Sequence, residues 1–513
     1  MNQLSICRAF ALLALVAAPQ ASAVTGKSFF NPRAINSEAF LNESSSLAFS
    51  HHNKPAERFS LFATGFYQES VNSKDLARYF FPNNKTELVI KGANAAGPAP
   101  DISGTWLQIA GLDANTAIEL YLNAFASKIS IRPEYKRFGT VLHFHKQVVG
   151  SCSRLWLALQ VPVVQVETNA HLSEYDKQNE AANLNAIDRF VLINAGNRRV
   201  EAAQLTAMLN AQQAFDNPLW KYGKITNQWQ KEAGVSDLDF RLGYDFSRHF
   251  TTYAKFVAPI AHKPTASHVF EPLIGNNGHW ALGGGAQFVF NLDGLSERMK
   301  DSYFLTTLDC QHLFAATERR SFDLKSHGAW SRYLLVVEPE KANETLQPGI
   351  NFFTQPMRVS VNAECNWNNI VHVACCSFLN FEFGYNFWVR SAEKVWLRHW
   401  NESINVAAEV FNPAGGNQFL INAAEDGRTI SMHLNAAPGT DVATTSRISA
   451  NDLDLSVAAH PASYSHTLHA TLGTHGLWRQ QPYEVAFGGA YEIPSSNRAL
   501  EKWGVWLKAS LSI

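Results

Sequence analysis

His143 and His145 stand two apart on an alternating segment, so they share one face of a strand, as two ligands of one metal ion would. The plainer reading is preferred: two histidines on a wet or interfacial face with no metal. His51, His52, His466, His469 and His475 are read the same way. Cys375 and Cys376 are adjacent and would face opposite sides of a strand, and no cysteine spacing matches a zinc site. The chain has no Walker loop, His-Glu-x-x-His, EF-hand or nucleophile elbow. Gly283, Gly284 and Gly285 sit at a strand start and open no helix, which fits a bend or close strand packing better than a phosphate cradle. Asn343, Glu344 and Thr345 match a glycosylation sequon to which no role is given. A wall-mounted Ser/His hydrolase pair is conceivable with 18 histidines, but no spacing favours any pair. The chain is therefore read as not an enzyme, with no catalytic, cofactor-binding or metal residue and no cofactor.

What remains is a set of charged rows. Lys128, Arg132 and Glu134 form one, followed by Lys136. Asp237, Asp239 and Arg241, then Arg358 and Glu364, then Asp452 and Asp454 form the others. These ten residues are the candidate lining of an aqueous pore, because each row occupies alternate positions opposite an apolar face. From Met357 to Trp367 every odd position is apolar (Met357, Val359, Val361, Ala363, Cys365, Trp367), and every even one is polar. Leu238 to Phe246, Ile129 to Tyr135, Leu379 to Val389, Leu453 to Val457 and Trp503 to Ile513 repeat the pattern. On a strand this gives one greasy and one wet face. The segments approach the ~9–11 residues of a membrane-crossing strand rather than the 5–6 of a typical globular one. Aromatics gather at their ends (Tyr244, Phe246, Phe383, Tyr385, Phe387, Tyr491, Trp503), as in interfacial girdles.

Composition agrees. The 513 residues are 46% hydrophobic and only 17% charged, which excludes general disorder. Lys+Arg (43) balances Asp+Glu (44), so no basic field draws nucleic acid. Arg8, the apolar run Ala9 to Ala18 and the small-x-small site Ala21-Ser22-Ala23 make residues 1–23 a secretory signal peptide. Without Cys7, five sparse cysteines remain, too few for a disulfide framework beyond one or two local bridges. No later stretch is a transmembrane helix. A soluble secreted β-sandwich or β-helix is the competing fold, and it explains the strand lengths and charged faces poorly.

An all-β antiparallel transmembrane barrel follows, occupying 57–513 after a periplasmic tail or small plug at 24–56. Segments near 57–67, 102–109, 127–135, 138–148, 153–167, 237–247, 250–260, 279–292, 302–316, 357–367, 371–389, 452–459, 464–474, 483–493 and 503–513 read as strands. A further one at Thr429 to Leu434 makes the count even, about 16, with 14 or 18 as neighbours. Turns are expected at 149–152, 247–249, 293–301, 368–370 and Lys136-Arg137, and excursions near 168–236, 261–278, 317–356 and 390–451. The first excursion carries a helical pattern, Asn183 to Ala214, fit to narrow a pore or to cap it.

The leader, the amphipathic strands to the last residue, and the closing Trp503-Gly-Val-Trp-Leu-Lys-Ala-Ser-Leu-Ser-Ile513 resemble bacterial outer-membrane β-barrel proteins of the porin-like class. Phe270 to Trp280 and Trp503 to Lys508 are similar to large uncharacterised barrels of intracellular Gram-negative bacteria. In this class the last strand usually ends in an aromatic that the barrel-assembly machinery recognises, whereas this chain ends in Ile513. The resemblance implies residence in the outer membrane. It also implies outer-membrane lipid and the assembly machinery, through Trp503 to Ile513, as partners, with a homo-oligomer left open. The function expected is passive diffusion of small polar solutes or ions, with weak selectivity because neither charge sign dominates the lining. Adhesion or host contact through surface loops, without an open channel, is the alternative.

Overall fold

A strand that keeps one face in lipid and the other in a wet interior must alternate along its whole length, and lipid leaves no sheet edge unpaired. The computed structural model describes residues 23–43, 59–91, 101–103, 126–148, 154–178, 215–216, 220–293, 299–326, 328–333, 335–337, 347–376, 378–400, 405–406, 420–423, 430–433 and 448–513. The leader up to residue 22 and the helical pattern of 183–214 lie outside them.

Twelve strands form one ring: β1 (Phe59–Ser70), β2 (Glu134–Gln147), β3 (Leu155–Asn169), β4 (Leu238–Ser247), β5 (Phe250–Ala258), β6 (Ala281–Asn291), β7 (Tyr303–Ser321), β8 (Thr354–Ala374), β9 (Leu379–Arg390), β10 (Ser463–Trp478), β11 (Gln481–Pro494) and β12 (Lys502–Ser512). Each pairs antiparallel with its neighbour in sequence. β12 returns to β1 from Ser60↔Ser512 to Ser70↔Lys502, which closes the sheet. Two more strands of the same sheet lie off the ring. Gln230–Val235 continues β4 beyond a break at Ser236 and Asp237, and Glu393–Leu397 continues β9 beyond Ser391.

The count of 16 is corrected to twelve. Lys136 and Arg137 are no turn but lie within β2, so the strands expected at 127–135 and 138–148 share one ring strand; Ala126–Ser130 belongs to a separate six-stranded sheet. That sheet also takes Ile102–Ser103 and Ile430–His433. The segment 452–459 is a two-residue strand followed by a 3-10 turn. Residues 368–370 are no turn either: β8 runs unbroken through them, and the chain reverses at 375–378. Strands of up to 21 residues reach well past a bilayer, so counting in membrane-sized pieces overcounts them.

The wall has the expected polarity on most strands. Phe240, Leu242, Tyr244 and Phe246 on β4, Phe381 and Phe383 on β9, and Val485, Phe487 and Tyr491 on β11 point outward and are exposed. Leu507 is 57% exposed, and a continuous band of such residues is tolerable only against lipid. One segment is corrected. The alternation from Met357 to Trp367 conceals a bulge at Asn362 and Ala363, whose amides both donate to Ser391 Oγ (3.1 and 3.0 Å). Before the bulge the odd residues Met357, Val359 and Val361 are buried inward; after it Glu364, Asn366 and Asn368 point in. Ile129, Ile131 and Tyr135, and likewise Leu453 and Val457, are buried and do not face lipid.

All the long connections leave one end of the ring, and short turns close the other. Described residues of the long ones meet at that end around an apolar cluster that includes Phe80, Phe81, Ile129, Trp220, Phe270 and Trp330. Cys310 and Cys365 form a disulfide between β7 and β8, while Cys375 and Cys376 are free and exposed.

On this wall Leu507→Arg is expected to block assembly, at ~2–4 kcal/mol for a charge at mid-depth; Ser360→Arg, which also points outward but lies past the bulge beside the outward Arg358, is expected to be tolerated. Heat-modifiable migration in SDS reads both. Equal tolerance at the two positions would remove the assignment of the apolar face to lipid.

Candidate functional site

Inside a closed ring, inward charges need water or partners. The segment 26–43 supplies partners. It enters at the loop end, where Ser28 N donates to Val457 O (3.1 Å), and descends within the ring through a 3-10 turn (Ile35–Ser37) and a short helix, Ala39–Glu43. Asn31 Nδ2 donates to Glu393 Oε1 (3.2 Å), and Asn36 Nδ2 to the carbonyl of Asp237 (2.7 Å). Lower down, Gln160 Nε2 donates to Asn42 Oδ1 (3.1 Å), Lys508 Nζ to Asn42 O (3.2 Å), and Asn368 Nδ2 to Glu43 Oε2 (2.9 Å).

Two charges of opposite sign fix this insert to the wall. Arg33 donates to Asn366 Oδ1 (2.6 Å) and Asn386 Oδ1 (2.7 Å), lies 3.4 Å from Glu492, and stacks over Trp388 and Phe40. The carboxylate of Glu38, fully buried, accepts from Arg137 on β2, Lys502 on β12 and Gln68 on β1. Gln68 Oε1 in turn accepts from Arg137 Nε (3.0 Å), and Lys502 lies 3.3 Å from Glu492. Glu38 thus sits on the seam where the last strand meets the first two.

A second inward group lies toward the turn end. Arg241 pairs with Asp239 (2.9 Å), Lys255 lies 3.1 Å from Asp309 and 3.6 Å from Asp239, and Tyr253 donates to Asp309 (2.6 Å). Tyr253 can lie flat because Gly285 beside it has no Cβ to meet its ring; Gly384 makes the same room for His469.

The ten candidates from the sequence separate accordingly. Asp237, Asp239, Arg241 and Glu364 face inward, with Asp239 and Arg241 in contact and Glu364 accepting from Trp388 Nε1 (3.0 Å). Asp237 serves the break before β4, its carboxylate taking the amides of Asn276 (2.6 Å) and Ala261 (3.3 Å). The other six are corrected. Lys128 pairs with Asp176 (2.9 Å) in the six-stranded sheet outside the ring, and Arg132 lies between that sheet and β2. Glu134, at the start of β2, pairs with Lys136 (2.7 Å) on the outer face. Arg358 is turned outward because the bulge at Asn362 and Ala363 reverses the face of β8. Asp452 and Asp454 cap loop turns, accepting from Ser449 N and Ser456 N. Pattern reading missed Arg33, Glu38, Arg137, Lys255, Asp309 and Glu492. Lys502 and Lys508 were visible as lone charges on the polar face of the last strand.

His143 and His145 both lie on the inner-facing side of β2, against the rings of Phe62 and Trp156 respectively. Among the described residues no group of three or more His, Cys, Asp or Glu is placed to hold a metal ion. At the loop end Glu393 accepts from His460 N (2.9 Å) and faces Arg320 (3.3 Å). Burial would push the Glu393 carboxyl up, but Arg320 and Arg390 override it and hold it down at about 2. Burial lowers His460 to about 3.

No known protein family matches the chain, and no curated protein matches it. Among solved structures it is similar to an outer membrane channel from Pseudomonas putida F1 (9% identity, 90% of this chain and 97% of that one, TM-score 0.38). It is also similar to a Pseudomonas aeruginosa FadL homologue (8% identity, 95% of both chains, TM-score 0.28). The CymD monoaromatic hydrocarbon channel matches at 8% identity over 94% of this chain and 92% of its own, with a TM-score of 0.24. The ring described above rests on this chain's own strand pairing.

Glu38→Gln is expected to destabilise the insert by ~3–5 kcal/mol, because it takes the carboxylate partner from the buried Arg137 and leaves Lys502 with Glu492 alone. Faster proteolysis or hydrogen exchange of 26–43 in a folded sample reads this. Acid should loosen the loop end. Glu393 has a depressed pKa, so its contribution is present above the ordinary carboxylate range and is lost as pH falls toward 2. His460 stays neutral when folded but protonates when unfolded, so stability also falls below about pH 6.5. Exchange of 393–397 and 455–460, taken relative to the intrinsic amide rate at each pH, should therefore rise steadily from neutral pH to pH 2, and a flat ratio would refute the pairing.

Proposed function

We propose that the chain is an outer-membrane channel for small polar solutes, held shut in this form by the insert 26–43. The observation that carries the reading is the character of the contacts within the ring. The wall facing the insert is charged and polar, and the insert is fastened through Arg33, Glu38, Asn36 and Asn42 as well as through Ile35, Phe40 and Leu41. Water and polar solutes can take over such hydrogen bonds once the insert moves. The inner wall holds Arg137, Lys255, Lys502 and Lys508 beside Asp239, Asp309, Glu382, Glu484 and Glu492, so ion selectivity is weak. The long connections belong outside the cell and the short turns in the periplasm, as in other barrels of this kind. On this reading Trp503 to Ile513 presents the strand that the assembly machinery would recognise, and the chain transports without catalysis.

A second reading has one observation in its favour. Described residues of the long connections, among them Phe81, Trp220, Phe270 and Trp330, are packed together at the loop end, which gives that end a built surface to meet a partner. Planar-bilayer recording separates the two. The folded wild-type chain should open rarely, and deletion of 28–43 should give frequent openings of larger conductance with little cation or anion preference. Silence from both proteins, with folding verified by heat-modifiable migration, would sink the channel and leave the surface role.

A further inference from the structure

On the loop-end side of the bulge at Asn362 and Ala363, the outward face of the sheet carries cations. Arg358 on β8 stands opposite Trp396 of the extension Glu393–Leu397 on one side and Thr317 of β7 on the other. Lys394 stands opposite Ser360, Arg319 of β7 stands opposite Pro356, and Arg398 directly follows the extension. Met357, Val359 and Val361 are buried inward, and Val395 and Leu397 pack against the loop-end core. The residues that alternate with them, Arg358, Lys394 and Arg398, therefore point outward. Arg319, between the buried Glu318 and Arg320, does the same. Diagonal neighbours across a strand pair lie about 7–8 Å apart, so Arg358 can share one ligand group with each of the other three.

These charges differ from others on the same rim. At the loop end of β2 and β3, Lys136 pairs with Glu134 (2.7 Å) and Lys231 with Glu167 (2.9 Å). Among the described residues no carboxylate pairs with Arg319, Arg358, Lys394 or Arg398, and none of the four has a hydrogen-bond partner; Arg319 lies over the ring of Tyr222 (4.9 Å). Like charges set side by side on a sheet destabilise it unless an anion joins them. Toward the membrane the same face changes character in steps. Ser360, Asn362 and His312 come first, with His312 Nδ1 donating to Asn362 O (2.6 Å), and then the exposed Leu308 beside Trp367. A membrane crossing of about 9–11 residues counted from the turn end of β8 at Ala374 reaches about Cys365. The cations thus stand beyond the apolar belt, with hydroxyl, amide and imidazole groups between.

Phosphate, then sugar hydroxyl and amide, then hydrocarbon is the order of groups in a phosphorylated glycolipid. We infer that this patch binds the phosphorylated glycolipid of the outer leaflet, its headgroup phosphates at Arg358, Lys394, Arg398 and Arg319 and its acyl chains against the wall below. The inference rests on the outer-membrane orientation proposed above, which puts the loop end in the outer leaflet.

The test is native mass spectrometry of the folded full-length chain in non-ionic detergent with added diphosphoryl lipid A or dioleoylphosphatidylglycerol. The wild type should retain the lipid A adduct in preference. Arg358→Gln with Lys394→Gln and Arg398→Gln should lower that adduct about fivefold for each charge removed. Ser360→Glu, which sets a carboxylate among the cations, should lower it as well, and Ser360→Arg should raise it. Lys136→Gln with Lys231→Gln, on the paired sector of the rim, should leave it unchanged. Unchanged retention in the triple variant, an equal loss per charge in the paired-sector variant, or equal retention of the two lipids by the wild type overturns the inference. Heat-modifiable migration verifies folding of each sample. Orientation is read separately in intact cells with a membrane-impermeant maleimide. It should label Lys221→Cys, exposed in a long connection, and reach the exposed Cys375 and Cys376 of the turn end only after lysis. The reverse pattern overturns the orientation and this inference with it, whereas the expected pattern with unchanged lipid A retention overturns this inference alone. A chain silent in bilayers that still shows the charge-dependent adduct loses the channel reading and keeps this one.

Discussion

Lipid offers no hydrogen-bond partner to a peptide group, and this one constraint shapes the molecule. A sheet placed in it must close, and here closure falls on the register of β12 with β1 from Ser60↔Ser512 to Ser70↔Lys502. Closure turns every second residue of twelve strands into a confined space. Those inward positions carry many charges, so closing the ring creates a second problem: unscreened charge inside a narrow tube. The outer face, by contrast, needs only to be apolar, and Leu507, Phe487 and Phe383 meet that need.

The insert answers the second problem at the place where the first was solved. Glu38 is bound by Gln68, Arg137 and Lys502, one from each of three strands meeting at the seam. Arg33 brings the opposite charge to Glu492, which itself faces Lys502. Sealing the lumen and stabilising the seam therefore draw on the same side chains. Moving the insert would leave the buried Arg137 without its carboxylate until water screened it.

Beyond the bilayer the constraint lapses and the alternation is free to change. It changes at two breaks, Ser236 with Asp237 before β4 and Asn362 with Ala363 within β8. Both are stitched by local hydrogen bonds, from Ser236 N to Pro162 O and from the two bulge amides to Ser391 Oγ. Past the second break, apolar side chains such as Met357 and Val361 turn inward and pack among buried residues. The strands thus carry the chain out of the wall and into the loop-end structure without losing their ladders.

Alternation in the sequence determined that the chain forms amphipathic strands, that most of their apolar faces point outward, and that Asp239, Arg241 and Glu364 lie on inward faces. A two-residue period is a local property, so it is legible from side chains alone. The strand number, the inward turn of Met357, Val359 and Val361, and the cap positions of Asp452 and Asp454 were decided only in three dimensions. One inserted residue reverses the face of everything after it while leaving the composition of the strand untouched. The contacts of Arg33 and Glu38 were illegible for a different reason. They join residues 30 to 464 positions apart, through a segment with no period of its own, and only the closed ring brings Glu38 to Lys502.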